Sequence, residues 1–280
     1  MLSRVGVMQG RLLPKYHGRY QAHPAGYWQE EFSIAKKLGL SCIEFILDYN
    51  DAKDNPLLSN EGIDNINAII DKTGVAVKTI CADYFMEAPI HSENQNVALQ
   101  SSNILTRLLN NSVSLGVTDV VIPCVDQSSL SSQIYVDNFV QRLSPIVDIA
   151  ENTKINISLE TDLSPEPFAE ILDCFDSDRI TVNYDIGNSA ALGYSPSEEL
   201  NVYGDRITDI HIKDRLLNGG SVVLGEGDAN FNLFFDELKK IDYTGVFIMQ
   251  AYRDNEGVSV FKKQLDWIMP ILENYKVKNS

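Results

Sequence analysis

An eightfold alternation of short apolar runs with helix-like segments is the strongest constraint on how this chain can fold. Each run is rich in β-branched or aromatic residues, which predicts a buried strand, and each following segment has the periodicity of an amphipathic helix. Strand centres recur about every 35 residues, the length of a β/α unit. The strands are predicted at residues 4–12, 40–49, 75–85, 117–125, 155–160, 181–188, 208–215 and 245–253.

The helices between these strands end as the helices of β/α units usually do. Gly39 and Gly74 each close a helical segment before the next strand begins, as expected for C-terminal caps. We predict an interruption of the fourth helix around Pro145 and a capping box formed by Ser195 and Glu198. The helices are predicted at residues 27–39, 57–74, 96–116, 131–153, 164–175, 195–204, 230–241 and 258–275.

Eight such units in 280 residues indicate a closed (β/α)8 barrel, and we expect a single TIM barrel domain over residues 1–280. A doubly wound open sheet usually has fewer strands and a glycine-rich phosphate loop, and no GxGxxG motif occurs in the sequence. No linker or low-complexity tract divides the chain. Residues 14–26 are rich in turn formers and aromatic residues and are expected to form a loop.

The charge of the chain restricts its partners. The formal net charge is −16, which disfavours binding to a nucleic-acid backbone. A small anionic substrate stays compatible with this charge, because a local cluster of Lys and Arg or a metal ion can outweigh the distant field. We therefore expect a small-molecule substrate and no nucleic-acid partner.

Cysteine usage and hydropathy indicate the compartment. None of the four cysteines forms a CxxC pair, and three fall inside apolar runs, which favours buried free thiols over disulfides or zinc ligands. The N-terminus lacks the apolar core of a signal peptide, and no apolar stretch reaches the roughly 18 residues of a membrane span. We expect a cytoplasmic protein with no membrane partner, and a homo-oligomer is compatible with this composition.

The fifth to eighth predicted strands each carry a metal-type ligand at or near their carboxyl ends. The four residues are Glu160, Asp185, His211 and Gln250. Because the strand ends of a barrel form one ring, these groups can converge on one point. Oxygen and nitrogen ligands suit one divalent ion such as Mn²⁺, Mg²⁺, Co²⁺ or Zn²⁺. For each residue alone the alternative is structural, as a satisfied buried histidine, a turn residue or a helix cap, but their matched placement favours a metal site.

Several short strings resemble the xylose isomerase-like TIM barrels. They are SLET at 158–161, NYDIGN at 183–188, DIHIKD at 209–214, GEGD at 225–228 and MQGRL at 8–12. This family includes sugar-phosphate isomerases and epimerases, ketose 3-epimerases and, more distantly, endonuclease IV. The resemblance implies one divalent ion bound by Glu160, Asp185, His211 and the eighth-strand residue. In the epimerases that last ligand is a Glu, which forms an acid/base pair with the fifth-strand Glu, whereas here it is Gln250.

The chemistry implied by the resemblance is proton transfer beside a carbonyl. Such a reaction needs a base close to carbon and a Lewis acid on the oxygens of the developing enediolate. Glu160 is the expected base. The amide of Gln250 can ligate a metal ion but cannot accept a proton near neutral pH. We therefore predict one-base isomerisation of a small sugar or sugar phosphate, rather than two-base 3-epimerisation.

Other polar residues near the predicted strand ends are candidates for binding the substrate. Lys213 suits a substrate oxygen or a phosphate, with a structural ion pair as the alternative. Asn188 and Glu226 fall at family motif positions, with loop structure as the alternative. The remaining candidates are Glu44, Asp83, Gln9 and Arg11.

Three other functions compete with the isomerase or epimerase prediction. Dehydration of a cyclic polyol ketone also begins with proton abstraction beside a carbonyl. A barrel that binds metal and sugar without turnover would be compatible with Gln250. Abasic-site cleavage is disfavoured, because the endonuclease IV chemistry uses a three-metal cluster with several histidines, and only four histidines occur in this acidic chain.

Overall fold

Eight parallel strands close into a barrel in the computed structural model, which describes residues 2–254 and 257–278. A separate antiparallel pair, β8 and β9 in the numbering that follows, lies outside the barrel. The predicted (β/α)8 fold is therefore confirmed. The strands are β1 (Leu2–Met8), β2 (Leu40–Ile46), β3 (Ala76–Cys81), β4 (Asp119–Cys124), β5 (Asn156–Thr161), β6 (Ile180–Asp185), β7 (Ile207–Ile212), β8 (Asp214–Arg215), β9 (Ser221–Val222) and β10 (Val246–Met249).

Helices surround the barrel and connect its strands. Each barrel strand pairs in parallel with the next barrel strand along the chain, and β10 closes the ring by pairing with β1. The carboxyl ends of all these strands therefore open on the same face. The helices are α1 (Gln29–Lys37), α2 (Asn60–Thr73), α3 (Tyr84–Glu87), α4 (Gln95–Ser112), α5 (Gln133–Thr153), α6 (Pro165–Leu172), α7 (Ile186–Leu192), α8 (Pro196–Tyr203), α9 (Phe231–Leu238) and α10 (Val258–Lys278).

Six of the eight predicted strands extend three or four residues too far at their carboxyl ends, namely those that correspond to β1, β2, β3, β6, β7 and β10. The sixth was expected to reach residue 188, but β6 stops at Asp185 and α7 follows immediately. The reason is local, because the Asp185 carboxylate accepts a hydrogen bond from the backbone N–H of Asn188 and thus caps the new helix. Similarly β3 stops at Cys81, and the short helix α3 occupies the end of the predicted strand.

Two predicted helix features are wrong. Helix α5 runs without interruption through Pro145. The carbonyl that the proline leaves without a partner belongs to Gln141, which is exposed and can be hydrated. The Ser195 side chain makes no capping bond, because the N–H of Glu198 bonds to the backbone carbonyl of Ser195 instead of its hydroxyl.

Two apolar layers hold the barrel. The outer layer lies between strands and helices, where side chains such as Phe32, Phe139 and Phe234 are buried; burial of a side chain of this size contributes about 1.5–3 kcal/mol. The inner layer lies inside the barrel, and it is so tight that a Cβ at Gly6 would lie 2.5 Å from Cys42 Sγ. The inner residues are Met8, Cys42, Ile46, Cys81, Val121 and Ile248.

The inner apolar layer fills only part of the barrel. Glu44, Asp209 and His211 are also fully buried inside it. Buried ionisable groups cost free energy unless they are paired or bind a ligand, so this polar region requires an explanation beyond packing. Among the described residues the cysteines are free thiols, and Cys174 is exposed. Across the same residues no helix combines the length and the apolar character needed to cross a membrane.

Candidate metal centre

Glu160, Asp185 and His211 come together at the carboxyl face of the barrel. One carboxylate oxygen from each acid and one ring nitrogen of the histidine lie within 4.8 Å of one another. The strands explain this convergence, because Glu160 is near the end of β5, Asp185 ends β6, and His211 on β7 is in register with Asp185. All three residues are buried. The strand positions identified in the sequence therefore meet in space.

Asp185 is held as a carboxylate. Burial would raise its pKa, but Lys213, His211 and the N–H of Asn188 together outweigh burial and hold the pKa of Asp185 well below its usual range. The ammonium Nζ of Lys213 is 3.2 Å from Asp185 Oδ2. This contact gives Lys213 an ion pair at the candidate metal centre, and the side chain also lines the cavity described below.

Glu160 has the properties of a proton acceptor near neutral pH. Burial, reinforced by the negative charge of Asp185, raises the pKa of Glu160 to about 7, although His211 and Lys213 act against this rise. Its Oε1 accepts a hydrogen bond from the Asn188 side-chain amide. A carboxyl group poised in this way is suited to general acid and base catalysis.

Asn188 connects the candidate base to two cations. While its Nδ2 donates to Glu160, its Oδ1 accepts from Lys213 Nζ at 3.0 Å and from Arg215 Nη1 at 2.8 Å. The two cations fix the orientation of the amide, since they can only donate. Asn188 therefore always presents its N–H group to Glu160.

His211 lies between two sets of carboxylates. Its Nδ1 is 3.9 Å from Asp185 Oδ2, and its Nε2 is 2.9 Å from Glu44 Oε2 and 3.7 Å from Asp209 Oδ2. Burial alone would lower the pKa of His211, but Glu44, Asp185 and Asp209 outweigh it and raise this pKa well above its usual value. Within the described residues neither ring nitrogen has a partner in hydrogen-bond geometry.

Gln250 directly follows β10 and lines the same cavity as Glu160. Its Nε2 donates to Gln21 Oε1 at 2.8 Å, while its Oε1 is buried without a hydrogen-bond partner in the described part of the chain. The donor set thus fits a divalent ion on two counts. It contains two carboxylates, and it leaves the buried Oε1 of Gln250 without a hydrogen-bond partner in the described structure.

A cavity of about 430 Å³ opens beside these groups. Three of the predicted substrate-binding residues, Asp83, Asn188 and Lys213, line it. Sequence reasoning missed six other polar residues of its wall, which are Gln21, Asp126, Thr161, Asp162, Arg215 and Asn218. Arg215 and Asp162 each lie two residues after a predicted site residue, so the period of a strand could have indicated them. The loop residues Gln21 and Asp126 carried no such signal.

The other predicted substrate-binding residues are not in the lining of this cavity. Gln9 is fully buried, and its Oε1 accepts from the N–H of Ile46 at 2.9 Å. Glu44 lies beneath His211, on the side away from Glu160 and Asp185 that Asp209 shares. Arg11 reaches the wall only indirectly, through a 3.0 Å bond from its Nη2 to Gln21 Oε1.

Glu226 is exposed in a turn outside the cavity. This turn, GEGD, wraps around the buried carboxylate of Asp214. Oδ2 of Asp214 accepts from the N–H of Gly225 at 2.8 Å and of Gly227 at 2.9 Å, and Oδ1 accepts from Ala229 at 3.1 Å. A Cβ at Gly227 would lie 2.1 Å from Asp214 Oδ1, so only glycine fits. In this protein the motif forms a backbone cradle for Asp214.

Comparison with known proteins agrees with this geometry. The family model described as xylose isomerase-like TIM barrel matches residues 32–271. The chain belongs to this family. A curated relative, the L-ribulose-5-phosphate 3-epimerase UlaE of Escherichia coli, is 24% identical over 262 residues, which cover 89% of this chain and 91% of the relative.

Solved structures of other proteins share the barrel. A D-tagatose 3-epimerase-like protein superposes with a TM-score of 0.75 at 21% identity, over 99% of this chain and 100% of that one. The IolI protein, solved with a zinc atom, superposes with a TM-score of 0.71 at 18% identity, over 94% and 96% of the two chains. At these identities the likeness establishes the fold, and the chemistry must be argued from the residues.

Proposed function

We propose that this protein is a divalent-metal-dependent isomerase or epimerase of a small sugar or sugar phosphate. The observation that carries the proposal is the meeting of Glu160, Asp185 and His211 within 4.8 Å beside a cavity of about 430 Å³. The curated relative named above acts on a ketopentose phosphate, which supports a substrate of this class. We expect Glu160, Asp185, His211 and Gln250 to hold the ion.

The bound ion would supply Lewis-acid stabilisation of the negative charge that develops on the substrate oxygens. The chain's own groups then divide the remaining work. Glu160 accepts the proton from the carbon beside the carbonyl, since its pKa of about 7 suits both taking up and returning a proton. Asn188 holds one oxygen of Glu160 by a hydrogen bond, which orients the carboxylate at the cavity.

The groups around Glu160 favour one-base chemistry. Gln250, which takes the place of the second carboxylate, cannot accept a proton near neutral pH. Glu160 alone can carry a proton between adjacent carbons on one face of the substrate, which is 1,2-isomerisation. We keep this as the leading reaction.

A specific observation favours 3-epimerisation as the second candidate. Asp83 also lines the cavity, and burial raises its pKa to about 6. A carboxyl group with this pKa can serve as the second acid or base that inversion at one carbon requires. The relatives named as 3-epimerases agree with this candidate.

The charges of the cavity wall admit either a free or a phosphorylated sugar. Lys213 and Arg215 offer positive charge, whereas Asp126 and Asp162 offer carboxylates. The acidic chain and these carboxylates oppose a nucleic-acid substrate. Dehydration of a polyol ketone shares the same first step and is distinguished by its product.

Deuterium exchange tests the proposal. The protein is incubated with Mn²⁺ and a panel of free and phosphorylated ketoses in D₂O, and deuterium at each carbon is followed by NMR. Exchange at carbon 1 with aldose formation indicates isomerisation, exchange with inversion at carbon 3 indicates epimerisation, and loss of water indicates dehydration. Glu160→Gln should reduce the rate by roughly 10²–10⁴-fold, and undiminished exchange in this variant contradicts Glu160 as the base.

A further inference from the structure

Three side chains outside the predicted ligand set form a chain of hydrogen bonds that ends on Gln250. Arg11 Nη2 donates to Gln21 Oε1 at 3.0 Å, and Gln21 Nε2 donates to Asp83 Oδ2 at 3.2 Å. The same Gln21 oxygen accepts from Gln250 Nε2 at 2.8 Å. The β1–α1 loop therefore contacts Asp83, which follows β3, and Gln250, which follows β10, the strand next to β1 in the barrel.

The two charged groups leave Gln21 only one favourable orientation. Arg11 can only donate hydrogen bonds, and the ionised Asp83 can only accept them. Burial lowers the pKa of Arg11 to about 10 and raises that of Asp83 to about 6, so both remain charged at neutral pH. A flipped Gln21 would place its NH₂ group against the guanidinium and its oxygen against the carboxylate.

The orientation of Gln21 determines the orientation of Gln250. Because the Gln21 oxygen faces Gln250, the latter must offer its NH₂ group and leave its own oxygen free. That oxygen is buried and has no hydrogen-bond partner among the described residues. A buried polar atom left in this way is unfavourable unless a ligand uses it. An amide coordinates a cation through oxygen, never through its NH₂ group.

We propose that Gln21 is a positioning residue that sets the Gln250 amide with its oxygen, rather than its nitrogen, available to the metal ion. Arg11 and Asp83 impose this setting through Gln21. The inference rests on the proposed metal centre. It gives the loop between β1 and α1 a role in metal affinity, in addition to that of the ligands on the strands.

The test compares Mn²⁺ affinity, measured by calorimetry, in four proteins: wild type, Gln21→Met, Gln250→Glu and the double variant. Methionine keeps the length of the side chain but removes its donors and acceptor. Gln21→Met should weaken Mn²⁺ binding about 10- to 100-fold, the usual range for a residue that orients a ligand. In the Gln250→Glu background the same change should cost nothing, because either oxygen of a carboxylate can ligate and no orientation has to be set.

Gln21→Glu combined with Asp83→Asn is the matched control. The carboxylate at position 21 still accepts from Arg11 and from Gln250, and the amide at position 83 donates to it where Asp83 would repel it, so the Gln250 amide keeps its setting and Mn²⁺ binding should be at least as strong as in wild type. Equal weakening by Gln21→Met in both backgrounds indicates a merely structural role and overturns the proposal, as does an unchanged affinity in the wild-type background. If the wild type binds no Mn²⁺, the metal centre itself fails and the role of Gln21 fails with it. If it binds Mn²⁺ and Asp185→Ala does not, a null result for Gln21→Met overturns the positioning role alone.

Discussion

The candidate site is built from two regions of different character, the strands β5 to β7 and the loop between β1 and α1. In the strand region the candidate ligands Glu160, Asp185 and His211 are set by backbone register. In the loop region the contributing groups are set by side chains, chiefly the Glu31 carboxylate, which accepts from the N–H of Gly10 at 2.8 Å and of Leu12 at 2.9 Å. The strand region supplies charge and donor atoms, whereas the loop supplies orientation.

This difference has a physical consequence. A ligand on a central strand cannot move without breaking the ladder of backbone bonds on both sides. The loop is held by a small number of specific contacts, and the buried Glu31 is central to them. We therefore expect substitution of a strand-region ligand to abolish metal binding. Substitution of a residue that holds the loop should only weaken the metal affinity.

The largest expected effect is on the strand side. Asp185→Ala or His211→Ala removes a primary ligand and should weaken Mn²⁺ binding by more than about 100-fold, beyond the usual cost of losing a residue that only orients a ligand. Metal content by mass spectrometry and calorimetry measure the loss. Asp162→Asn is the control, because Asp162 lines the cavity but bonds to the loop residues Asp126 and Ser129. Full metal occupancy in both alanine variants shows that the ligands lie elsewhere.

The next effect concerns the loop and depends on pH. Burial raises the pKa of Glu31 to about 7, whereas in the unfolded chain it is near the ordinary value of about 4.3. Between these values the folded state holds a proton that the unfolded state has lost, so this group's contribution to stability falls as pH rises from about 4.3 to 7, by about 4 kcal/mol. Glu31→Gln should flatten the pH dependence of the free energy of unfolding over this window. Identical pH slopes for the two proteins in urea titrations contradict the assignment.

Gln250→Glu should have a smaller effect on Mn²⁺ binding. It changes the residue at which the two regions meet. Two carboxylates and a divalent ion sum to zero charge, and a third carboxylate leaves the centre at −1. We expect about tenfold tighter Mn²⁺ binding and increased exchange at carbon 3, because the second face of the substrate regains a base. If the wild type inverts carbon 3 readily and the variant is no better, Gln250 does not determine the reaction.

The smallest expected effect distinguishes a motif residue from a cavity residue. Glu226→Ala should change Mn²⁺ affinity and turnover less than about twofold, as expected for an exposed side chain away from the cavity. Asn188→Ala should reduce turnover about tenfold or more, since it releases Glu160 and leaves Lys213 and Arg215 without their shared acceptor. A comparable loss of turnover in both variants would show that Glu226 contributes to the site.

The sequence predicted the barrel and the strand-borne groups because both depend on short-range patterns. A strand is recognisable from its own residues, and the carboxyl ends of parallel strands must meet once the barrel closes. Glu160, Asp185 and His211 could therefore be grouped from position alone. The overlong sixth strand shows the limit of this approach, because its end depends on a single capping bond from Asn188 to Asp185.

The loop could not be predicted in the same way. The contact between Gln21 and Gln250 joins residues 229 positions apart in the chain, and nothing near Gln21 in the sequence indicates its partner. The sequence places Gln9 and Arg11 at the end of the first predicted strand, which makes them candidates for contact with the substrate. The structure instead places Gln9 against the backbone of Ile46 and Arg11 behind Gln21, since the loop folds back over both.

The cradle around Asp214 shows that a sequence motif shared by a family can have a structural role. GEGD is among the strings by which this chain resembles its family, yet its glycine amides serve to hold an internal carboxylate. A motif of this kind carries information about descent and very little about substrate. Selection for a new reaction can leave it untouched while exchanging residues such as Gln21 or Gln250. A related chain that keeps GEGD and differs at those two positions should therefore be expected to share this fold and catalyse something else.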